Sequence, residues 1–160
     1  MPLNTEDRAK IAKAFQETMP SIEQMFAIYT GKAGAPARFA LGVYDASDAG
    51  ANWAAGGDPE ARAIAEHAIR TAEWVNNHTE TARKKVRAAL RSGQDTGNLV
   101  RAKAAFQEDE APYPGACLAE VDGKPIAVAT SGLRGTEDEP FSLLVIELLK
   151  RALTPPAPPA

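Results

Sequence analysis

The most constraining stretch of the chain runs from Tyr113 to Leu149. Ala116–Val121 and Ile126–Thr130 are two short apolar runs rich in Val, Ile, Leu and Ala. Between them lies Asp122-Gly123, a dipeptide that tolerates the positive φ of a type I′ turn. Such a turn sets the register of the two strands, and register decides which side chains face the core. After Thr130, Gly132 and Gly135 interrupt the strand. The apolar period then changes from two to about 3.6, with Leu144, Leu148 and Ala152 in one row and Phe141 and Val145 beside it. A chain that ends this way closes a sheet with a hairpin and covers it with a helix.

Upstream, the same reading gives further elements. Asn4 or Thr5 caps a first helix, and Ile11, Phe15 and Thr18 form its stripe. Pro20 is expected to end or kink it, and Ser21 to cap a restart carrying Ile22, Met25, Phe26 and Tyr29 up to Gly31. Residues 32–37 read as a loop. Arg38–Tyr44 alternates and reads as a strand, and Ala51–Ala55 around Trp53 as its hairpin partner. Asp58-Pro59 is a strong helix start, and Ala61, Ile64, Ala65, Ala68, Ile69, Ala72 and Val75 supply an apolar face for a helix running to that point. After the break at residues 76–79, Thr79 caps a helix over Glu80–Arg91, ended by Ser92-Gly93. Residues 98–106 fit a short helix or a strand. The expectation is an α+β fold: an antiparallel sheet of about four to five strands from two hairpins, covered by helices in the order helix, hairpin, helix pair, hairpin, helix. One domain spans 1–153, and TPPAPPA at 154–160 is a disordered, proline-rich tail.

Composition narrows the function classes. A net charge of −3 over 160 residues argues against a nucleic-acid binder, which needs clustered cations to neutralise phosphates. Arg83, Lys84, Lys85, Arg87 and Arg91 are the one basic concentration, and they read as a solvated helix face near a C-terminus. The single cysteine, Cys117, excludes an intrachain disulfide and a cysteine zinc cluster; in a strand it reads as a small buried hydrophobe. No apolar run is long enough for a membrane span or a signal sequence, so the expectation is a cytoplasmic protein if Met1 is the native start.

Three blocks carry a family resemblance: FALGVYDASDAGANWAAGG, AEHAIRTAEWVNNHT and YPGACLAEVDGKPIAVATSGLRGTEDE, in that order over roughly 39–139. Together they resemble the GlcG/HbpS-like proteins, often labelled haem-degrading-domain-like. This chain has Ala116 where the family's aromatic-Pro-Gly-Gly segment has its second glycine, and Ser131-Gly132-Leu133 where the family has Ser-Gly-Gly. The resemblance implies a binding or accessory module that self-associates, since some members bind haem, some are domains of corrinoid-processing proteins and many have no established activity.

Candidate ligand-binding residues follow from spacing. On a continuous helix His67, Thr71, Trp74 and His78 stand at i, i+4, i+7 and i+11, on one face. Either His67 or His78 could serve as the axial ligand of a haem, with Trp74 against the macrocycle. Eleven residues of helix separate the two imidazoles by about 16 Å, so one helix cannot bring both to one iron. The alternative leaves Trp74 packed in a core or subunit interface. Tyr113 either lines a pocket or packs in the core. The SGLRGTEDE loop offers glycines to an anion, but its three carboxylates favour a capping box between Thr136 and Glu139. Ser131 reads as a strand-end turn in preference to a nucleophile, and Asp45 and Asp48 fit a carboxylate pair or, equally well, a turn. Nucleophile-elbow, HExxH and P-loop sequences are absent. The leading expectation is a small-molecule-binding module for haem or another tetrapyrrole, in a homo-oligomer, with no membrane or nucleic-acid partner. The alternatives are an enzyme acting on a small metabolite, and a regulatory or structural protein-interaction module.

Overall fold

The computed structural model describes residues 2–33, 39–50, 58–69, 77–133, 136–154 and 158–159. Its elements are α1 (Thr5–Ala33), β1 (Phe39–Asp45), α2 (Pro59–Arg62), β2 (Ala63–Ile69), α3 (His78–Ser92), α4 (Thr96–Arg101), β3 (Ala116–Val121), β4 (Lys124–Ser131) and α5 (Asp138–Leu153). The strands form one antiparallel sheet in the order β2-β1-β4-β3. This is the α+β architecture the sequence predicts. The closing hairpin turns at Asp122 (φ 50°) and Gly123 (φ 72°), both left-handed as a type I′ turn requires. Val121 consequently pairs with Lys124 and Cys117 with Val128.

That register sorts side chains by size. Ile126 and Val128 of β4, with Phe39, Leu41 and Val43 of β1, face α1 and α5. The intervening Ala127 and Ala129 face α3, with Ala116 of β3. Small residues on this side let the Ala82, Val86, Ala89 and Leu90 stripe of α3 lie close to the sheet. Tyr44 fills the remaining space: its ring lies over Gly42, where any Cβ would come within 2.6 Å of the phenol oxygen.

Three expectations are overturned. Pro20 does not end α1, and Ser21 starts no second helix, since Thr5–Ala33 is one helix with the proline inside it. The ring and Gln16, whose carbonyl loses its i+4 donor, are both exposed, so water can replace the missing bond. The apolar face of Ile11, Phe15, Met19, Ile22 and Phe26 meanwhile runs on uninterrupted. The helix begun at Asp58-Pro59 does start there, with Asp58 Oδ1 accepting from Glu60 N at 2.9 Å, but it lasts one turn. Ala63–Ile69 is a strand, not the middle of a long helix. Both patterns fit this alanine-rich segment. The strand prevails because β1 is buried along its whole length and the backbone groups of its second edge need partners. β2 supplies them, pairing Leu41 with His67 and Gly42 with Glu66. Third, the basic run of α3 is not a solvated face, because Lys85 is buried.

The proposed Ala51–Ala55 strand, Thr71 and Trp74 lie outside the described residues, as does part of the proline-rich tail. Residues 98–106 resolve as the end of the short helix α4 followed by a turn. α3 starts at His78, capped by Asn77 and not Thr79: Asn77 Oδ1 accepts from Glu80 N at 3.1 Å. Its end at the left-handed Gly93 is as expected. Among the described residues no helix is long and apolar enough to cross a membrane.

Candidate functional site

Where α3 begins, β4 ends and α5 begins, the three elements leave a cleft of about 530 Å³. Its walls include His78, Thr81, Lys84 and Lys85 from α3, Ser131 and Gly132 from the end of β4, Asp138 from α5, and Tyr113. The glycine after Ser131 has φ 111°, a left-handed conformation that turns the chain away from the sheet and opens the space.

The floor is a buried ion pair. Lys85, 1% exposed, donates from Nζ to Asp138 Oδ2 and to the Thr130 carbonyl, both at 2.9 Å. Asp138 Oδ1 accepts from Leu133 N at 3.1 Å, so the carboxylate ties the loop after β4 to the start of α5. Burial lowers the Lys85 pKa against the pull of Asp138, and burial raises that of Asp138 against the pull of Lys85. Gly115 makes room for the ammonium. At φ 136° a Cβ there would sit 2.6 Å from Thr130 O and 2.9 Å from Lys85 Nζ. Beneath, Ser142 Oγ donates to Gly115 O at 2.6 Å and lies 2.8 Å from Thr130 Oγ1, closing the polar network with buried partners.

The predicted site residues divide. His78 and Tyr113 line this cleft. Tyr113 is 55% exposed, so it belongs to the mouth and not to the core. His78 Nδ1 lies 3.4 Å from Ser131 Oγ. His67 does not share a helix face with His78. It sits on β2, away from the cleft lining, with Nε2 2.9 Å from Glu23 Oε1 of α1. The Thr136–Glu139 capping box does not form. The N-cap of α5 is Glu137 with no side-chain cap bond, and Glu139 instead binds Arg101.

Sequence reasoning missed Lys85, Asp138 and Ser131 as cleft residues. Lys85 did carry a signal: on α3 it falls next to Val86 and three residues after Ala82, on the apolar side of the helix. Asp138 was masked by its acidic neighbours.

No protein-family model matches the chain, and no curated protein matches it. Solved structures do. HbpS superposes with a TM-score of 0.54 at 17% identity, covering 93% of this chain and 91% of that one. The PduOC:heme complex gives 0.50 at 16% identity, covering 92% and 95%. Klebsiella pneumoniae protein ORFY, described as family-model DUF336, gives 0.50 at 11% identity, covering 94% and 92%. At these identities the likeness is one of fold, and the fold of this chain is that of the GlcG/HbpS-like proteins its sequence resembles.

Proposed function

We propose that the chain is a small-molecule-binding module that self-associates, with haem or another tetrapyrrole as its ligand class and the α3–β4–α5 cleft as its site. One observation carries this reading: a cleft within the ~300–1,000 Å³ range of ligand pockets gathers an imidazole, a phenol and an exposed ammonium. The fold shared with HbpS and with the PduOC:heme complex supports the tetrapyrrole class.

The residues present fit such a group. Bound haem would supply an iron that accepts an axial nitrogen donor. His78 offers the imidazole. Ser131 Oγ, on its Nδ1 side, orients the ring. Lys84, loosely paired with Glu80 at 3.9 Å, supplies a cation for acidic substituents. Tyr113 offers an aromatic face at the mouth. Lys85 is already held by Asp138 and keeps the floor rigid. His67, engaged by Glu23, has no part in the site.

Titration with haemin, followed by absorbance, tests this. A saturable Soret shift is expected for the wild type and His67→Ala, and its loss or a large displacement for His78→Ala. No Soret shift in the wild type, or an unchanged one in His78→Ala, contradicts the reading. A second reading, an enzyme acting on a small metabolite, draws on Lys85 and Asp138. A buried amine with a lowered pKa beside a carboxyl with a raised one is an acid–base arrangement. It predicts turnover that Lys85→Met abolishes.

A further inference from the structure

Beside the cleft, but facing away from it, three side chains from separate parts of the chain converge. Asp95 precedes α4, Cys117 lies on β3 and Glu139 is in the first turn of α5. One ligand atom from each lies within 4.8 Å of the others. The Cys117 side chain is fully buried, and its thiol takes no hydrogen bond among the described residues. The two carboxylates within reach of its sulfur belong to residues that are only partly buried.

Both carboxylates are held in place by other groups. Asp95 Oδ1 accepts from Leu118 N at 2.8 Å. Glu139 accepts from both Arg101 Nη atoms at 3.1 Å. Glu139 reaches this position because residue 97 is glycine: a Cβ there would lie 2.5 Å from each carboxylate oxygen. Donors fixed by neighbouring groups are the condition for a built coordination site.

Without a cation the arrangement is electrostatically lopsided. Two carboxylates converge on a buried sulfur, and the Arg101 guanidinium is bound to one of them. A divalent ion offsets this negative charge, and a thiol that coordinates it does so as the thiolate. Thiolate and two carboxylates then carry three negative charges, balanced by the ion and Arg101.

We propose that Asp95, Cys117 and Glu139 bind one thiophilic divalent cation of the zinc class, with three protein donors and one open position. Borderline and soft ions prefer a thiolate, whereas magnesium and calcium prefer all-oxygen sites. Binding forms a metal–sulfur bond and releases the thiol proton to solvent, one proton per ion.

Cadmium titration of the untagged full-length chain, followed in the near-ultraviolet, tests this through the thiolate-to-cadmium charge-transfer band. The expected result is a band saturating at one ion per chain, displaced by zinc and not by magnesium. Cys117→Ser abolishes it. Glu139→Gln and Asp95→Asn, which alter only partly exposed groups, weaken it at least tenfold. Absence of the band, or a band of unchanged affinity in both carboxylate variants, overturns the proposal. The second result would mean a thiol binding cadmium without the site.

Discussion

Lys85 and Gly115 show how strongly single residues shape the cleft. Replacing Lys85 with Met leaves Asp138 buried beside an apolar chain, and losing one partner of a buried pair costs about 3–5 kcal/mol. Urea denaturation of Lys85→Met checks this, and adding Asp138→Asn, which removes the stranded charge, should restore part of the loss. Gly115→Ala forces a side chain into a left-handed backbone and against Thr130 O, and backbone strain of that kind costs on the order of 1–3 kcal/mol; the same denaturation assay reads it. At this scale the sequence was only partly legible. His78 and Tyr113 stood out as chemically distinctive types. Lys85 and Asp138 did not, because a lysine among basic neighbours and an aspartate between glutamates become special only when distant elements bury them together.

Elements were legible where local signals were unambiguous. The Asp122-Gly123 hairpin and the Asp58-Pro59 helix start appear as their turn and cap chemistry requires. Pro20 and Ala63–Ile69 were misread because tertiary contacts override local preference. The continuous buried face of α1 outweighs one lost hydrogen bond, and the open edge of β1 recruits a segment with helix-compatible composition. A proline in a helix interior costs about 3 kcal/mol relative to alanine, and Pro20 is exposed. Pro20→Ala should therefore raise the melting temperature, with a stability gain of about 1–3 kcal/mol. Destabilisation would mean that α1 depends on the proline for its path.

Across the whole molecule, ion pairs join elements remote in sequence. Glu66 of β2 is bound by Arg83 of α3 at 2.7 and 2.8 Å and by the Tyr44 hydroxyl at 2.7 Å, and Glu110 is bound by Arg91 of α3. Burial works to raise both glutamates, but the arginine hydrogen bonds and charges, with Tyr44 for Glu66 and Gln107 N for Glu110, outweigh it and hold them below the usual 4.5. A carboxylate depressed in the folded state contributes stability that is complete above its unfolded value and lost as pH falls through the folded one. The contribution of these two glutamates to stability should thus be complete above pH 4.5 and decline below it. Glu66→Gln should shallow that decline in chemical denaturation series measured at successive pH values.

The proposed ligand site is likewise a product of the whole molecule, because α3, the end of β4 and the start of α5 wall the cleft together. Thr81 lines that cleft from α3 and takes no part in the Lys85–Asp138 floor. Thr81→Trp places an indole in the space without disturbing the core. Haemin titration of this variant, with far-ultraviolet circular dichroism and thermal melting matched to the wild type, is the most direct measurement. A folded Thr81→Trp protein is expected to bind haemin at least tenfold more weakly, read from the Soret shift. A folded variant that binds haemin as tightly as the wild type would contradict it.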